Sequence, residues 1–567
     1  MPEGIRARSS GCELTTYRFP VTASDAAWGN EWDDVADVVV VGGGAAAFAA
    51  AWSASRAGAS VIVLEKAPIV GGTTAKSGGV MWIPNNHHMK TAGLVDERES
   101  AIRYMARCAY PTLYDPAQPH LGLPEDRLRL IEVFYDAGAR YVEDVEREGV
   151  VEFAPLDYPD YNAQLPEDTA PRGRSLKLKY PANWRKGVDS WGGVWLVESL
   201  EKGAHAHGAR TLLEHRVAGV VRNEAGEVIG VEAHTGRRTK LIGARKGVIF
   251  GSGGFLHNPE LRREFLRGPI FGGAASLNAT GDLVGISSTI GARLGNMAHA
   301  WWDQVVLELT HRLTETIDDV YSAFGDSMIM VNRFGRRVVN EKAPYNERGQ
   351  AHFAWDPHRL EYPNRVLFMI FDDDVVQNPA KSPFRWPVPM PGETADYVIT
   401  ADTLDALATK INERLAKLGA FVSHVQLDGT FVGTLQATIS RFNAMALAGR
   451  DDDFSRGETM VEQRWSVAGR EGMPNKTMHP LRDSGPYHCI LLGGGALDTK
   501  GGPVTDEFGR FIDQHGAVIE GIYGAGNCVA SPAGQAYWGA GGTIGVAFTF
   551  GAIAGEHAAA QPARTPA

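Results

Sequence analysis

Cysteine is scarce in this sequence, and no two cysteines are spaced as in a metal-binding pair. The chain of 567 residues contains four, namely Cys12, Cys108, Cys489 and Cys528. They form no Cys-x-x-Cys pair and show no spacing typical of zinc ligands. The sequence therefore predicts no metal centre, and it indicates a reducing compartment, which we expect to be the cytoplasm.

Long uninterrupted apolar segments are also missing. The two most apolar stretches, 38–52 and 541–555, are interrupted by glycine and are shorter than the about 20 residues that cross a bilayer. Residues 1–19 contain no hydrophobic core, so a secretory signal is not expected. We therefore expect no stable membrane insertion.

An excess of positive charge is the third absence. The formal net charge is -11, from 56 lysines and arginines against 67 acidic residues. An acidic surface gains little from meeting a phosphate backbone or anionic lipids, which argues against nucleic acid as the main partner. A length of 567 residues exceeds one ordinary core and predicts two domains.

The most informative stretch that is present comprises residues 35–66, which have the pattern of a dinucleotide-binding β-α-β unit. Residues 37–41, DVVVV, show no polar alternation, which is typical of a parallel strand buried on both faces. Gly42 permits a tight turn, and Gly44 lets the backbone approach a pyrophosphate. The alanine-rich segment that follows is predicted to open a helix whose free N–H groups and dipole face that anion.

The second half of this unit supports the same interpretation. Ala47 stands where the pattern requires a third glycine or alanine, and a buried strand at 60–64 ends in Glu65. An acid at this position binds a ribose hydroxyl and favours an unphosphorylated adenosine ribose. A glycine-rich turn in any parallel sheet is the alternative, but the order of strand, glycines, helix, strand and acid favours nucleotide binding.

Further strands and helices are predicted to complete an α/β, Rossmann-like domain from separate parts of the chain. A strand pair is expected at 210–233, a buried strand at 246–250 before a GSGG turn, and a strand and glycine turn at 517–527. A helix is expected at 279–295, where Asp282 is predicted to be a helix-terminal group. The glycine-rich stretch 537–559 is predicted to lead into an apolar helix.

The glycine signatures disappear between about 300 and 474, which indicates an inserted α+β domain for substrate binding and catalysis. Within it, 328–349 is predicted to form a strand, a turn and a second strand, and 434–454 a helix. The predicted divisions are an extension at 1–34, a first nucleotide-binding part at 35–299, the insertion at 300–474 and a final nucleotide-binding part at 475–567.

A histidine pair, His87 and His88, is a candidate acid-base group in the stretch GVMWIPNNHHM. Loop residues after a turn at Pro84 are the favoured interpretation, because adjacent histidines cannot easily face one site. Tyr158 and Tyr161 lie in a segment rich in proline, aspartate and tyrosine, which suits an ordered loop.

A second glycine cluster, GGTTAKSGG at 71–79, carries a resemblance. It is similar to the segment that flavoproteins of the fumarate reductase and 3-ketosteroid dehydrogenase group lay along the flavin diphosphate. The resemblance implies FAD as the cofactor. The cluster lacks the histidine used for covalent attachment in quinone-linked relatives, so non-covalent FAD is expected.

From residue 37 to about 559 the chain resembles the bacterial 3-ketosteroid Δ1-dehydrogenases. The motifs that carry this resemblance are GGGAAAFAAA, GGTTAKSGG with WIPNNH, NRFGRRVVNEKAPY, RFNAMALAGRDDDFSRG, LDTKGGPVTDEFGR, and AYWGAGGTIG with AFTFG. It implies 1,2-desaturation of a 3-ketosteroid, with a steroid substrate and an unidentified electron acceptor as partners. The pattern and the resemblance together predict these cofactor-binding residues: Gly42, Gly44, Ala46, Ala47, Glu65, Lys66, Gly72, Thr73, Thr74, Ser77, Gly78, Gly79, Val217, Gly253, Asp282, Asn527, Gly542, Thr543 and Ile544.

The resemblance also implies the catalytic residues. The carbonyl-binding tyrosine and backbone N–H of the family fall on Tyr537 and Gly541, and the base falls on Tyr345 in the NEKAPY motif. The supporting tyrosine is assigned to Tyr161, with Tyr158 as the substitute. For each tyrosine the alternative is a core ring whose hydroxyl is satisfied.

This sequence departs from many family members at Trp538 and Ala540, which replace prolines beside Tyr537, so the shape of the pocket is expected to differ. Three other functions stay open. A fumarate- or urocanate-type reductase needs a carboxylate-binding arginine, for which the candidates are Arg348 and Arg482, with His479 and His488 nearby. A 3-ketosteroid Δ4-(5α)-dehydrogenase or a flavin-carrying electron-transfer protein are the remaining possibilities.

Overall fold

The computed structural model describes residues 32–170, 172–182, 192–312, 320–380, 385–466 and 472–565. The predicted N-terminal extension lies outside the described residues up to residue 31, as does Cys12. Among the described residues, Cys108, Cys489 and Cys528 carry free thiols.

The described strands are β1 (Asp34–Val41), β2 (Val61–Leu64), β3 (Met81–Trp82), β4 (Phe153–Pro155), β5 (Ser175–Leu178), β6 (Arg210–Leu212), β7 (Arg216–Arg222), β8 (Val228–Thr235), β9 (Arg238–Phe250), β10 (Gly272–Gly273), β11 (Leu294–Gly295), β12 (Ala300–Val306), β13 (Met328–Val331), β14 (Val366–Asp372), β15 (Ile399–Ala401), β16 (Tyr487–Thr499), β17 (Gly502–Pro503), β18 (Arg510–Ile512) and β19 (Val518–Gly524).

The described α-helices are α1 (Ala45–Arg56), α2 (Gly72–Ala75), α3 (His87–Thr91), α4 (Arg98–Ala109), α5 (Glu125–Arg147), α6 (Gly192–Ala206), α7 (Pro259–Phe265), α8 (Asp282–Thr289), α9 (Leu307–Arg312), α10 (Tyr345–Gly349), α11 (Asp373–Val376), α12 (Leu404–Leu418), α13 (Phe431–Ala448), α14 (Met460–Trp465) and α15 (Gly542–Ala560).

The first sheet is the nucleotide-binding layer. Its strand order is β18-β19-β9-β1-β2-β6, with β8 added beside β9 and β7 beside β8. The strands β1, β2, β6, β9 and β19 run parallel to one another, with Val38 opposite Val61 and Gly247, whereas β8 and β18 pair with them in antiparallel fashion. The predicted Rossmann-like α/β fold is confirmed, including the contribution of the C-terminal strand. The four valines at the end of β1 are buried, as expected for an interior parallel strand.

Two helices from opposite ends of the chain cover one face of this sheet. The alanine-rich α1 packs along α15, where a side chain at Gly551 or Gly555 would collide with the backbone carbonyls of Ala46 and Ala50. Small residues on both helices therefore permit an unusually close backbone approach. This contact joins the first nucleotide-binding unit to the helix that follows Tyr537.

The second sheet belongs to the half of the molecule that contains the predicted insertion. Its strand order is β10-β16-β14-β13, and β12 and β15 also pair with β16. Helices α12 and α13 bury Ile411, Leu435 and Phe442 beside it. The central strand β16 and the short β10 both lie outside the predicted insertion at 300–474, so this sheet draws on more of the chain than the glycine pattern indicated.

One predicted element of this half is wrong. The expected second strand after the Arg333–Gly335 turn is not formed, and a single bridge joins Val331 to Arg337. The reason is a buried ion cluster, in which Arg337 contacts Glu341 at 2.8 Å and Asp451 at 2.9 Å. These contacts hold the segment in an irregular conformation. Within the described ranges, no helix combines the length and apolarity needed to cross a membrane.

Candidate active site

Three tyrosines from distant parts of the chain form one buried cluster. The hydroxyl of Tyr161 donates a hydrogen bond to that of Tyr345 at 3.1 Å. The ring of Tyr537 lies 5.4 Å from that of Tyr161 and 5.3 Å from that of Tyr345, measured between centroids. The residues are between 3% and 5% exposed. The structure therefore brings together the three tyrosines that the sequence singled out.

Tyr345 is positioned by the start of α10. Pro344 caps this helix at its N-terminus, and its fixed φ directs the chain into the first turn. The next residue, Asn346, accepts a hydrogen bond from the Trp302 backbone N–H at 3.2 Å and donates to the Gln535 carbonyl at 3.3 Å. Asn346 thus connects the segment of Tyr345 to the segment that carries Tyr537.

Tyr161 is positioned by the loop that follows β4. Its backbone N–H donates to the Trp538 carbonyl at 3.0 Å, which ties it to the residue beside Tyr537. The hydroxyl of Tyr104 donates to the same carbonyl at 2.7 Å. The Trp538 ring itself lies in the core, 5.7 Å from that of Phe134, so the substitution noted in the sequence fills the space behind the cluster.

A buried cluster of charged side chains holds this loop in place. Arg174, fully buried, pairs with Asp96 at 2.8 Å, with Asp168 at 2.9 Å and with Asp160. Asp160 directly precedes Tyr161 and also accepts from the Trp82 indole N–H at 2.8 Å. Burial raises the pKa of Asp160 to about 7, against the opposing charge of Arg174. The cluster fixes the loop through charge-assisted hydrogen bonds.

Gly541 caps α15 close to Tyr537. Its φ of +88 lies in the left-handed region, and a side chain there would collide with the Val80 carbonyl. Its carbonyl accepts from the Trp82 N–H at 3.1 Å. The N–H of Gly541 has no backbone acceptor among the described residues. The ring of Tyr537 lies 3.6 Å from the position that a Cβ would take at the next residue, Gly542. The N–H and the phenol therefore lie at the same helix end.

Burial dominates the electrostatics of the phenols. It raises the pKa of Tyr345 and of Tyr161 well above the ordinary value of 10.0. While both phenols are neutral, the hydrogen bond between them adds to the shift of Tyr345 and reduces that of Tyr161. A deprotonated Tyr345 accepts the hydrogen bond that Tyr161 donates, and such a bond favours the charged form. The pair is therefore arranged so that one phenol stabilises the phenolate of the other.

Tyr158, the substitute for Tyr161, does not join the cluster. Its hydroxyl is buried and finds no hydrogen-bond partner among the described residues. Burial raises its pKa, and the charge of Arg464 opposes the shift. The geometry therefore favours Tyr161 as the partner of Tyr345.

Three aromatic residues that the sequence analysis did not single out pack around the three tyrosines, and together these six rings form what we call the aromatic wall. The ring of Trp465 lies 5.9 Å from that of Tyr161, that of Tyr321 lies 5.2 Å from that of Tyr345, and that of Trp301 lies 5.1 Å from that of Tyr537. No local pattern marks these three residues. Their convergence depends on long-range packing.

Lys500 is a further residue that the sequence did not single out, although it lies in the quoted LDTKGG motif. Its buried ammonium group donates to the Ala536 carbonyl at 2.8 Å and lies 4.1 Å from the centre of the Trp301 ring. Burial lowers the pKa of Lys500 well below its usual value. The side chain supports the backbone directly before Tyr537.

The first dinucleotide turn has the geometry that the glycine pattern predicts. Gly42 has a φ of +114, and a Cβ there would lie 2.5 Å from the Gly251 carbonyl oxygen. Gly44 is the N-cap of α1, and Ala46 and Ala47 follow in its first turn, where backbone N–H groups lack intrahelical acceptors. This helix end can therefore receive a pyrophosphate.

The second glycine cluster lies beside that turn. Thr74 accepts from the Ala45 N–H at 3.1 Å, and Thr73 accepts from the Ser276 N–H at 3.1 Å. Ser77 accepts from the Gly79 N–H at 3.0 Å and donates to the Thr74 carbonyl. Gly72 starts α2 with open space at its Cβ position, and Gly78 links this helix to β3. The two clusters thus form one continuous surface.

The acid at the end of β2 is placed as predicted. Glu65 accepts from the Ala67 N–H at 2.7 Å, and burial raises its pKa. The Glu65 carbonyl accepts from the His215 N–H at 2.9 Å, which brings the chain of Val217, in β7, beside this strand end. These groups lie where the adenosine part of a dinucleotide is expected.

Lys66 and Asp282 contact each other instead of facing an open surface. The ammonium group of Lys66 pairs with Asp282 at 3.0 Å, and Arg216 pairs with the same carboxylate at 2.9 Å. Burial opposes ionisation of Asp282, but the bond from Arg216 and the charge of Lys66 lower its pKa to about 2. Asp282 is the first residue of α8. Its expected role at a helix terminus is confirmed.

The C-terminal part closes the surface. Gly253 lies in the turn after β9, where a Cβ atom would be 3.8 Å from a carboxylate oxygen of Asp498. The same carboxylate accepts a hydrogen bond from the Asn527 side-chain amide at 3.2 Å. Asn527 in turn accepts from the Trp301 indole N–H at 2.9 Å. Burial raises the pKa of Asp498 to about 6. This network connects the nucleotide side to the aromatic wall.

The residues present fit the predicted FAD. Gly542, Thr543 and Ile544 form the first turn of α15, where free N–H groups face outward from the helix end. The hydroxyl oxygen of Thr543 is buried without a partner among the described residues. A buried orphan hydroxyl beside free N–H groups suits the polar edge of a flavin ring.

The candidate carboxylate-binding arginines are used elsewhere. Arg348 directs its guanidinium donors at the chain itself, namely at the Gln304 side chain at 2.6 Å and at the carbonyls of Val320, Tyr321, Glu341 and Ala343. Arg482 pairs with Asp374. His488 contacts Thr400 at 2.9 Å, and the His479 backbone N–H donates to the Asp326 carbonyl at 3.0 Å. None of these hydrogen bonds and ion pairs involves Tyr161, Tyr345 or Tyr537.

One expectation about the histidine pair is wrong. His87 and His88 were expected not to face one site, but both imidazoles point at Glu146, with ring centroids 4.0 Å apart. They begin the short helix α3, and Asn86 caps that helix by accepting from the Met89 N–H at 3.1 Å. The first turn of this helix turns both side chains toward α5.

Comparisons with known proteins agree with this geometry. A family model described as FAD binding domain matches residues 37–544. The 4-oxocyclohexanecarboxylate 2-dehydrogenase of Sinomonas cyclohexanicum is 31% identical over 93% of this chain and 93% of the relative. The 3-oxosteroid 1-dehydrogenase of Mycobacterium tuberculosis is 31% identical over 90% of this chain and 95% of the relative.

A solved structure shares the whole fold. The 3-ketosteroid Δ1-dehydrogenase of Sterolibacterium denitrificans, in complex with 1,4-androstadiene-3,17-dione, superposes with a TM-score of 0.77 at 26% identity. The match covers 93% of this chain and all of that one. FAD is therefore the cofactor, and the protein is an oxidoreductase. The chain belongs to the family of FAD-dependent dehydrogenases that contains the 3-ketosteroid Δ1-dehydrogenases.

Proposed function

We propose that this enzyme desaturates a 3-ketosteroid between carbons 1 and 2 of its A ring. The observation that carries the proposal is the cluster of Tyr161, Tyr345 and Tyr537, in which two hydroxyls share a hydrogen bond of 3.1 Å. Both curated relatives are dehydrogenases of a ring that bears a ketone. A ketone makes the neighbouring C–H bond acidic, so a base and a carbonyl-binding group are the two functions that the protein must supply.

Tyr345 is the proposed base for the proton on carbon 2. A phenolate is basic enough to remove a proton next to a polarised ketone, but burial raises the pKa of Tyr345 and so opposes its formation. In the proposed step Tyr161 donates its hydrogen bond to Tyr345, and a bond donated to a phenolate favours that charged form. Tyr161 is therefore a supporting group that acts on the base.

Tyr537 and Gly541 are the proposed carbonyl-binding pair. The phenol and the backbone N–H both donate hydrogen bonds, and donors that are already oriented stabilise negative charge as it develops on the ketone oxygen. The left-handed φ of Gly541, +88, sets the direction of its N–H at the start of α15. Hydride acceptance from carbon 1 is the chemistry that bound FAD supplies.

The proposed pocket suits a flat apolar substrate. The aromatic wall consists of rings that pack against one another, namely those of Tyr161, Trp301, Tyr321, Tyr345, Trp465 and Tyr537. Aromatic faces bury apolar rings well and keep water from the reacting carbons. A neutral polycyclic ketone is therefore the substrate class that this wall supports.

The test is anaerobic mixing of the FAD-loaded enzyme with a panel of 3-ketosteroids. We expect the flavin absorbance near 450 nm to be lost, and a product two mass units lighter with its new double bond between carbons 1 and 2. A flavin that stays oxidised with every steroid would overturn the proposal. A double bond between carbons 4 and 5 would identify the neighbouring Δ4-(5α) activity instead.

A carboxylate-bearing ring ketone is the second candidate substrate. It is supported by the relative that acts on 4-oxocyclohexanecarboxylate, at 31% identity. The residue to test is Arg464, whose exposed side chain directly precedes Trp465 of the aromatic wall. The Arg464→Ala variant separates the two candidates. For a carboxylate substrate we expect KM to rise about tenfold with kcat retained. For a steroid we expect KM and kcat to stay unchanged.

A further inference from the structure

Three potential metal ligands converge on the side of the molecule where α3 meets α5. The His87 Nε2 lies 2.9 Å from a carboxylate oxygen of Glu146, and the His88 Nε2 lies 3.2 Å from the same oxygen. The three ligand atoms all lie within 4.8 Å of one another. The proposed desaturation uses none of these side chains.

The separations suit a small tetrahedral ion. Zinc binds imidazole nitrogen and carboxylate oxygen at about 2.0–2.2 Å, so neighbouring ligands of a tetrahedral site lie about 3.3 Å apart. The two nitrogen–oxygen distances, 2.9 and 3.2 Å, are within a few tenths of an ångström of that value. Side-chain motion of this size is sufficient to admit the ion.

The chemistry of the ligand set agrees with the geometry. Two imidazoles and one carboxylate are donors that zinc and its first-row neighbours accept, and a water can complete the shell. The three side chains are partly exposed, at 29%, 19% and 14%, which leaves access for that water. The second oxygen of Glu146 accepts from the Phe153 N–H at 2.8 Å, and such outer contacts orient a ligand.

We propose that His87, His88 and Glu146 bind one zinc-class divalent cation, which cross-links α3 to α5. Asn86, at the start of α3, donates to the Ile83 carbonyl at 2.8 Å, and the Trp82 N–H donates to the Gly541 carbonyl at 3.1 Å. The ion therefore holds the segment that lies against the start of α15. Its role is structural, since it lies outside the tyrosine cluster.

The test uses FAD-loaded protein that has been treated with a chelator and dialysed. Titration with Zn²⁺ by calorimetry is expected to show one saturable site per chain and to raise the melting temperature. Co²⁺ is expected to give visible absorption bands of a four-coordinate site. In the His88→Ala and Glu146→Gln variants we expect the affinity for Zn²⁺ to fall at least about 100-fold.

His207→Ala provides the matched control. His207 lies 3.3 Å from Glu148, just after the end of α5, but among the described residues this pair belongs to no group of three potential metal ligands. The control is expected to bind Zn²⁺ as the unaltered protein does. FAD absorbance and steroid turnover report that each variant is folded. Zinc binding that is absent, or that persists at full affinity in both ligand variants, would overturn the proposal.

Discussion

The hydroxyl oxygens of Tyr161 and Tyr345 lie 3.1 Å apart although 184 positions separate the two residues in the chain. One comes from the loop that follows β4, and the other is the first residue of α10. Neither segment alone contains the hydrogen-bonded pair. In the proposed mechanism the base requires both segments to be docked, because only then can one phenol stabilise the phenolate of the other.

Replacing the base tests this pairing directly. In the Tyr345→Phe variant we expect turnover to fall about 10²- to 10⁴-fold, the usual contribution of a general base. The ring is retained, so FAD content and the melting temperature are expected to stay close to the unaltered protein. Steady-state kinetics together with flavin absorbance check both expectations. Unchanged turnover would remove Tyr345 from the mechanism.

Tyr158→Phe is the matched control for that experiment. Its hydroxyl is also buried, but it has no hydrogen-bond partner among the described residues. Loss of an unpaired hydroxyl leaves no group unsatisfied, so turnover is expected to change less than about threefold. A large loss would return Tyr158 to the role assigned to Tyr161.

The supporting phenol should be visible in the pH profile. Burial raises the pKa of Tyr345 above 10.0, so the phenolate fraction and kcat/KM are expected to rise with pH between 7 and 10. The Tyr161→Phe variant loses the donor to the phenolate. We expect its kcat/KM to be about 10- to 100-fold lower and its profile to shift to higher pH. An unshifted profile would show that Tyr161 only fills space.

The same pKa shifts affect stability at alkaline pH. Because the folded pKa of both phenols exceeds the unfolded value of about 10, their contribution is fully present below pH 10 and is lost as the pH rises through the folded pKa. Chemical denaturation between pH 9 and 11 is expected to show this loss. The double Tyr161→Phe, Tyr345→Phe variant should lose less stability over that range, and an identical slope would contradict the assignment.

The buried cluster below Tyr161 predicts a large effect on stability. Arg174→Met leaves the carboxylates of Asp96, Asp160 and Asp168 without their cation, and breaking a buried pair in this way costs about 3–5 kcal/mol of unfolding free energy. Arg172→Met is the control, since its pair with Asp157 is 49% and 58% exposed. Thermal unfolding should separate the variants clearly. Equal melting temperatures would contradict a supporting role for the cluster.

Attachment of the cofactor can be tested without any substitution. The stretch 71–79 offers threonine, serine and lysine but no histidine for a covalent bond to flavin. We therefore expect acid precipitation to release all the flavin into the supernatant, where its absorbance near 450 nm can be measured. Yellow colour that stays in the precipitate would show a covalent link.

Local patterns in the sequence predicted the nucleotide-binding half well. The glycines after β1, the helix α1 and the acid Glu65 are set by neighbouring residues, so composition and spacing sufficed. The same holds for Asp282 at the start of α8. These elements depend on turn-forming residues and on the spacing of apolar residues, and both can be read from a single sequence.

The parts that could not be predicted depend on distant contacts. The segment after Gly335 has the composition of a strand, but Asp451 binds Arg337 at 2.9 Å across 114 positions and prevents the pairing. Trp465 and Tyr321 join the active-site wall through packing that leaves no periodic trace. The shared orientation of His87 and His88 depends on how α3 docks on α5.

The position of β19 and α15 in the nucleotide-binding layer has a consequence for how the enzyme is made. The sheet places β19 directly beside β9, and α15 covers α1, so elements that are synthesised long after β1 are interior parts of the first unit. A nascent chain on the ribosome exposes the glycine turn after β1 long before these elements exist. The complete flavin site therefore requires β19 and α15, and a chain truncated before β19 is expected to retain FAD poorly.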